Sequence, residues 1–426
     1  MLVTARLEET PKVYKNRLID RELAEAFSTL PAVSLVGPRA CGKTTTATNL
    51  VPNVVNLAEP ANAKLFRDDP DAALRAVGEP VLLDEWQETP AVLGAVKRAV
   101  DNGTGPGRFL LTGSARVDLD VALWPGTGRV VEVAMSTMTV RERLGHLAGR
   151  LFVDRLLDER PLSSLTPATS WADAPTVTDY LNLAREGGFP EPLLTLDQPG
   201  RDRWTRGYID LLITRDSHLT GTAPDPGRLG RFLEVVSLNT AGVINDQTLA
   251  EVSGVSLPTV RAYENVLRRV YAVSQLPAWW SNRLTRLTKQ PKWHLSDSCL
   301  MPAATRVDFS TILRDGNLYG RMLETFVIAQ INAELPLSKA APRLYHLRDQ
   351  GGRREIDLVV EYSLGRIAAV EVKSASVVDD ADARHLAWLK ERLGDRFLCG
   401  VVLYSGPATI ELADGIIAAP ISTLWA

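Results

Sequence analysis

Cysteine is scarce: the chain has three in 426 residues, Cys41, Cys299 and Cys399. Three scattered thiols build neither a disulfide framework nor a cysteine zinc site, and they suit a reducing compartment. No apolar run reaches the roughly 18 residues that a membrane-spanning helix needs. The opening MLVTARLEETPKV lacks the apolar centre of a secretory signal, so the expected location is cytoplasmic, with no membrane partner. Positive charge is not in excess either. Against 48 Lys+Arg stand 51 Asp+Glu, a net charge of -3, so any nucleic-acid contact must be local rather than spread over the surface. Fixed-period repeats and low-complexity tracts are missing. What is present is ordinary globular composition, 45% hydrophobic and 23% charged, which excludes a disordered, collagen-like or coiled-coil chain. At roughly 150 residues per domain, the length predicts about three domains.

Apolar runs alternate with helical stretches over residues 1–145. Val33–Val36, Val54–Leu57, Val81–Leu83, Phe109–Leu111 and Val130–Val133 read as short strands, apolar enough for a parallel sheet covered on both faces. The alternation predicts an α/β domain. Trp124–Gly128 is a turn-rich break before the last run. Residues 146–225 read as a helical lid or linker, with Pro161–Pro175 the best linker candidate. Residues 226–300 read as a compact helical unit, and 301–426 as a second α/β unit.

Gly37, Pro38, Arg39, Ala40, Cys41, Gly42, Lys43 and Thr44 match GxxxxGK[ST], between an apolar run and a helical stretch. The glycines let backbone N–H groups curl around a phosphate chain, and the following helix presents its positive end. Lys43 is expected to reach the β- and γ-phosphates and Thr44 to hold Mg2+. Thr45 joins the nucleotide-binding set. Cys41 reads as a small residue of the loop, with a redox role as the alternative. Val81–Glu85 is an apolar run ending in two carboxylates. There Asp84 would steady Mg2+, and Glu85 would orient and polarise the attacking water. A further strand ends at Leu111–Ser114, where Ser114 or Thr112 is placed to touch the γ-phosphate or the water. Arg116 and Arg129 are candidates for stabilising transition-state charge, in cis or from a neighbouring subunit. The plainer reading of each is a solvated surface arginine.

Thr248–Leu267 has helix-turn-helix texture. Leu249, Ala250 and Val252 would face a core, Gly254 would turn, Ser256 would cap, and Val260, Tyr263 and Leu267 would line the second helix. Between Arg228 and Lys292 nine Lys/Arg oppose four acids. Trp279 and Trp280 adjoin the basic run Arg283 to Lys292. This reads as a winged helix with a basic wing, suited to DNA contact. A lid or docking surface is the competing reading.

Glu355-Ile356-Asp357 and Glu371-Val372-Lys373 lie on consecutive strand-like runs, and alternation keeps each charged pair on one face. Paired as a hairpin, they would bring Asp357, Glu371 and Lys373 together. That is the D…ExK set of restriction-endonuclease-like nucleases, in which Asp357 and Glu371 would hold Mg2+ and Lys373 would steady the water. Glu324 on the preceding helix would complete the cluster, and His346 and Arg348 would contact phosphate. A buried Glu–Lys network in an inactive relic is the alternative.

GPRACGKT (37–44), VLLDEWQ (81–87), LTGSAR (111–116), GGFPEP (187–192), the segment ending Arg215-Asp216 and the EID…EVKS pair together resemble the uncharacterised prokaryotic AAA-type ATPases that carry a C-terminal domain of unknown function. MSTMTV at Met135 to Val140 departs from the Pro-Leu-rich segment usual there. The resemblance implies ATP as the nucleotide, with Mg2+, and ATP hydrolysis. The expected architecture is a P-loop AAA-type parallel-sheet domain (1–145), a helical lid (146–225), a winged-helix-like domain (226–300) and a restriction-endonuclease-like α/β domain (301–426). Two functions compete: an ATPase that also cuts nucleic acid, and an ATP-driven switch acting on DNA or a protein partner without cutting. A remodelling motor, which needs a closed ring, is a third. Candidate partners are DNA through 226–300 and 301–426, a protein, and further copies of the chain.

Overall fold

The computed structural model describes residues 14–114, 128–158, 161–166, 174–215, 224–349 and 352–426. Arg116, residues 124–127 of the turn-rich break, residues 167–173 of the linker candidate and Asp216 lie outside the described residues. No described helix is long and apolar enough to cross a membrane.

The N-terminal unit is a parallel sheet of β1 (Ala32–Val36), β2 (Val54–Asn56), β3 (Val81–Asp84), β4 (Phe109–Gly113) and β5 (Val131–Ala134), ordered β2-β3-β4-β1-β5. β1, β3 and β4 are buried along their whole length, which is why their sequences are apolar without alternation. The order sets β1, β3 and β4 side by side, so the loops at their C-terminal ends share one edge of the sheet. That edge is where open parallel sheets receive ligands.

In the middle, helices Val177–Glu186, Gln198–Thr214 and Pro226–Leu238 lead to β6 (Gly242–Val243), helices Asp246–Ser253 and Leu257–Arg269, β7 (Val273–Leu276) and β8 (Lys292–Leu295). The strands form an antiparallel sheet ordered β6-β8-β7. Local chemistry sets the helix boundaries. The Asn245 side chain caps the first of the pair through the Thr248 N–H, Gly254 ends it at φ 69°, and Ser256 caps the second through the Thr259 N–H.

The C-terminal unit starts with helix Gly316–Glu334 and the antiparallel meander β9 (Arg343–Arg348), β10 (Glu355–Glu361) and β11 (Ile367–Lys373). Helix Arg384–Leu393 then crosses to β12 (Phe397–Tyr404), parallel to β11. β13 (Ile410–Ala413) and β14 (Ile416–Pro420) complete the six-stranded sheet β13-β14-β12-β11-β10-β9.

One apolar core runs from Val140 to Trp425 and takes in Leu229, Phe232 and Tyr263 of the middle with Phe326, Val370 and Leu403 of the end. The expected boundaries at 225/226 and 300/301 thus fall inside a shared core. Leu165, within the expected linker, is buried in it. The last turn, Ile421–Trp425, packs Trp425 against Tyr180 and Phe326 with ring centroids 6.0 and 6.3 Å apart.

The joint between the sheet of β1–β5 and this core is the short helix Val140–Leu144. Its Arg141 is buried, lies 3.4 Å from Glu334, and donates to the carbonyls of Arg150 and Ala426 at 2.9 and 3.0 Å. Burial pushes the Glu334 carboxyl up to about 7, against the pull of Arg141. A carboxyl raised this way binds its proton more tightly folded than unfolded. Its contribution to stability is full below about 4.5 and is lost as pH climbs through about 7. Between those values the parent chain should lose more stability than Glu334→Gln, as read by denaturant midpoints across the pH range. Parallel pH profiles would show that Glu334 does not carry the effect.

Candidate functional site

The phosphate loop joins β1 to the helix Lys43–Leu50. A Cβ on Gly37 would lie 2.1 Å from the Met135 carbonyl oxygen, so only glycine lets the loop pass the end of β5. Gly42 at φ 102° and Ala40 at φ 60° give the left-handed steps that turn successive N–H groups to one side. Lys43 is buried and donates Nζ to the carbonyls of Gly37 and Pro38 at 3.0 and 2.7 Å. Thr44 and Thr45 are exposed at the helix start. Cys41 is fully buried with its Sγ 3.9 Å from the Met135 carbonyl, a packing position with no exposed thiol for redox chemistry.

Two carboxylates close the site from the end of β3. Thr44 Oγ1 donates to Asp84 Oδ1 at 2.9 Å, and Thr112 Oγ1 donates to the same oxygen. Burial raises the Asp84 carboxyl above its ordinary value, while the two hydroxyls pull it down. Glu85 sits at φ 53°, which turns its side chain away from that of Asp84. Ser114 Oγ donates to it at 3.2 Å and Gln87 Nε2 donates to the other oxygen. Thr112 and Ser114, left as alternatives by the sequence, therefore serve one carboxylate each. The cradle that excludes a Cβ, the exposed Thr44 and the adjoining Asp84 suit a Mg-bound nucleotide triphosphate.

For Arg129 the structure bears on the in-cis reading alone. It precedes β5, and β5 runs parallel to β1 with Ala134 beside Val36. Arg129 lies before the start of β5 at Val131, so at least the length of that strand, about 10 Å, separates it from Ala134, at the opposite end of the sheet. There it pairs with Asp101 at 2.9 Å. It cannot reach this chain's own nucleotide site.

The sequence reading missed Arg17. Its Nη1 donates to the Cys41 carbonyl at 2.7 Å, its Nη2 to the Ser136 carbonyl at 2.8 Å, and its Nε to Glu142 at 3.0 Å. Glu142 also accepts from the Leu18 and Thr139 N–H groups, at 2.7 and 2.6 Å. GGFPEP reaches the same loop. A Cβ on Gly188 would lie 2.2 Å from the Met138 carbonyl, and Pro190 lies 3.5 Å from where a Cβ on Gly42 would be. Gly188 O accepts from the Met138 N–H at 2.6 Å, and its own N–H donates to Asp297 at 2.8 Å.

In the C-terminal unit the register Leu358↔Val370 sets Asp357 opposite Glu371 on the β10–β11 hairpin. Glu324 joins from helix Gly316–Glu334 and Glu355 from two residues upstream of Asp357. Lys373 borders the cluster, and its charge favours ionisation of Asp357 and Glu371. Its Nζ turns to Asp382 at 3.8 Å. The ammonium inside the cluster is Lys292 of β8, 2.9 Å from Glu324, 2.9 Å from Asp357 and 3.1 Å from Glu355. Burial alone would lower the Lys292 pKa, yet Asp357, Glu324 and Glu355 hold it well above the ordinary lysine value. Burial likewise opposes ionisation of Asp357, but Lys292 and the Val372 N–H, 3.0 Å away, keep its carboxyl below the usual range. Burial and the Asp357 charge push Glu371 well up and Glu324 up to about 8.

His346 and Arg348, expected to contact phosphate, are engaged within the chain. His346 is buried with Nε2 3.1 Å from the Gln290 carbonyl, and Arg348 lies 3.6 Å from Glu355. The basic wing is similarly committed. Arg286 forms a two-pronged pair with Glu361 at 2.6 and 2.9 Å and lies over the Trp279 and Tyr345 rings. Trp279 is buried, while Lys289 lies over Trp280. Arg261 and Arg268 remain on the exposed face of helix Leu257–Arg269.

Residues 30–144 match the AAA domain family, residues 177–311 the domain of unknown function DUF8612, and residues 319–424 the domain of unknown function DUF4143. With its parallel sheet and phosphate loop, the N-terminal unit is an AAA domain of the P-loop ATPase class. The chain is 27% identical over 403 residues to the uncharacterized proteins Rv2008c of Mycobacterium tuberculosis and Mb2031c of Mycobacterium bovis, covering 93% of this chain and 82% of each relative. Among solved structures, the Walker-type ATPase of Pyrococcus abyssi aligns at 14% identity and TM-score 0.38, covering 68% of this chain and 94% of that one. The DNA clamp loader delta protein of Bacillus subtilis aligns at 11% identity and TM-score 0.24, covering 71% and 98%.

Arg17 props the phosphate loop from beneath, so Arg17→Met should act at two levels. Leaving Glu142 buried without its cation should destabilise the fold by about 3–5 kcal/mol. Freeing the Cys41 carbonyl should weaken nucleotide affinity. The double variant Arg17→Met/Glu142→Gln should recover part of the stability and none of the affinity. Thermal melts and a fluorescent-nucleotide titration separate the two. Unchanged affinity in a folded Arg17→Met protein would remove Arg17 from the site.

Proposed function

We propose that this chain binds and hydrolyses ATP with Mg2+ and uses the nucleotide state to change how its C-terminal half engages a partner, without cutting nucleic acid. What carries the reading is the division of labour at the end of β3 and β4. Thr44 and Thr112 converge on Asp84, while Ser114 and Gln87 hold Glu85.

In this reading Lys43 leaves the Gly37 and Pro38 carbonyls for the phosphates, exchanging two neutral acceptors for anionic ones. The loop N–H groups and the helix start at Lys43 receive the remaining phosphate charge. Thr44 and Asp84 hold Mg2+, which when bound neutralises charge on the phosphate oxygens. Glu85 accepts a hydrogen bond from the attacking water, and Ser114 fixes its direction.

The route to the rest of the chain is helix Val140–Leu144. Glu142 faces Arg17 and the loop, while its neighbour Arg141 faces Glu334 and the chain's last residue. Val140 N–H also donates to Gln330 at 2.8 Å. A shift of the phosphate loop is thereby felt in the shared core.

The second reading, an ATPase that also cleaves nucleic acid, is favoured by topology. A helix, an antiparallel meander, a helix and a parallel strand, with Glu324, Asp357 and Glu371 at one end, follow the restriction-endonuclease-like order. The helix pair Asp246–Ser253 and Leu257–Arg269 followed by β7 and β8 follows the winged-helix order, with Arg261 and Arg268 as the DNA-facing candidates.

Phosphate release from Mg-ATP by the full chain, with and without DNA, tests both readings. Turnover should disappear in Lys43→Ala. Glu85→Gln should keep ATP affinity and lose about 100-fold or more in turnover. DNA in the same tubes should stay intact. Release no greater than that of Lys43→Ala under every condition would refute the hydrolytic reading, and Asp357-dependent cutting would select the second.

A further inference from the structure

We propose that the Lys292 ammonium stands in the place a divalent cation would take in a metal-dependent nuclease centre, so that the C-terminal carboxylates form a charge-paired joint instead of a metal site. This deepens the topological reading of residues 316–426 given above and rests on it.

Three observations carry the inference. Lys292 Nζ lies within 2.9 to 3.1 Å of carboxylate oxygens from three positions, Glu324, Asp357 and Glu355. Those are ammonium distances; Mg2+ draws oxygens to about 2.0–2.1 Å and holds them octahedrally. Among the described residues, no group of three or more His, Cys, Asp or Glu side chains is arranged to hold a metal ion. Second, the lysine is not a passing surface chain. Its side chain is 1% exposed, and its backbone is held in β8 between β6 and β7, opposite Val243 and Leu276. The backbone that carries the ammonium is thus fixed by pairing on both sides, and the stem has no exposed path to solvent. Third, the element that delivers Lys292 is stitched to the same sheet elsewhere. Trp279 N–H donates to the His346 carbonyl at 2.6 Å, and His346 N–H donates to the Pro277 carbonyl at 2.9 Å. Arg286 clasps Glu361.

A cation and the carboxylates it neutralises are mutually dependent. Without Lys292 the Asp357 carboxylate would be left buried beside Glu324, Glu355 and Glu371 without its ammonium partner, and a divalent ion is the natural replacement. With Lys292, a divalent ion entering the cluster would have to displace a buried charge that then has no partner. The joint ties the segment around β8 to the sheet of β9–β14, which fits a chain that moves its C-terminal half as one body.

Mn2+ is the probe, applied to the full chain without nucleotide, by paramagnetic titration and thermal melting. The intact chain and Asp357→Asn should give the same Mn2+ isotherm, and neither should cut plasmid DNA in Mn2+. Lys292→Met should melt lower, and Mn2+ should restore its midpoint by about 3 °C or more. The restoration should be lost in Lys292→Met/Asp357→Asn. Mn2+ binding by the intact chain that Asp357→Asn removes, or cutting by the intact chain, overturns the proposal. A folded Lys292→Met protein with no response to Mn2+ overturns it too. Should Lys292→Met fail to fold, the comparison of the intact chain with Asp357→Asn decides alone. None of these readouts uses ATP, so a chain that fails to hydrolyse ATP leaves the proposal standing.

Discussion

A charge taken out of water must be met by an opposite charge or by hydrogen bonds, and in this protein that constraint places the joints between its parts. Arg17 with Glu142 ties the N-terminal segment and the phosphate loop to the short helix after β5. Arg141 with Glu334 ties that helix to the long helix of the C-terminal unit. Lys292 with Glu324, Glu355 and Asp357 ties β8 to the C-terminal sheet. Buried pairs of this kind add little net stability compared with a well-packed apolar joint, because desolvation consumes most of the attraction. What they do impose is register. An apolar face can slide, whereas a guanidinium facing two carbonyls and a carboxylate has one good position.

The glycines act in the same direction. Gly37 and Gly188 each admit a backbone carbonyl from Met135 and Met138 at a distance no side chain would allow. The segment MSTMTV thereby lies between the phosphate loop and the GGFPEP turn, in contact with both. These are backbone contacts, in which no rotamer can absorb a shift. The Arg17–Glu142 and Arg141–Glu334 pairs run beside this path, since Arg141 and Glu142 are neighbours on one helix. The nucleotide site and the shared core are therefore connected through Met135–Leu144 by two kinds of contact at once.

Legibility in the sequence followed contiguity. The phosphate loop and the pair Asp84–Glu85 each lie within a few residues, so spacing alone conveyed their geometry. Strands β1, β3 and β4 were visible because a fully covered parallel strand is apolar without a break. The hairpin that opposes Asp357 and Glu371 was legible because strand alternation and a short turn fix the register. Arg17 was not legible, because its three partners are 24, 119 and 125 residues away and no local pattern marks it. The in-cis reading of Arg129 failed because nearness in sequence hid the direction of β5. That Lys292 and not Lys373 pairs directly with Asp357 was not legible, because the strand pattern gives the face of a side chain but not where a long, flexible stem ends. A signal for Lys292 did exist. Lys292 and His294 alternate with Trp293 and Leu295 in a strand buried on both faces, and a lysine in such a strand requires an acidic partner elsewhere.

Charge arithmetic over a window of sequence has the same limit. Nine basic residues against four acidic ones between Arg228 and Lys292 is a real imbalance along the chain. In three dimensions two of its members are answered from outside the window, the buried Lys292 by Glu324, Glu355 and Asp357 and the half-buried Arg286 by Glu361. Arg286 and Lys292 thus face the chain's own C-terminal sheet, and the neighbouring Trp279 is buried. A surface meant for phosphate keeps its cations hydrated and exchangeable until the nucleic acid arrives, because release of counterions drives that binding. Cations already desolvated by internal carboxylates have no counterions to release. By that criterion Arg286 and Lys292 serve the packing of this protein's own C-terminal half.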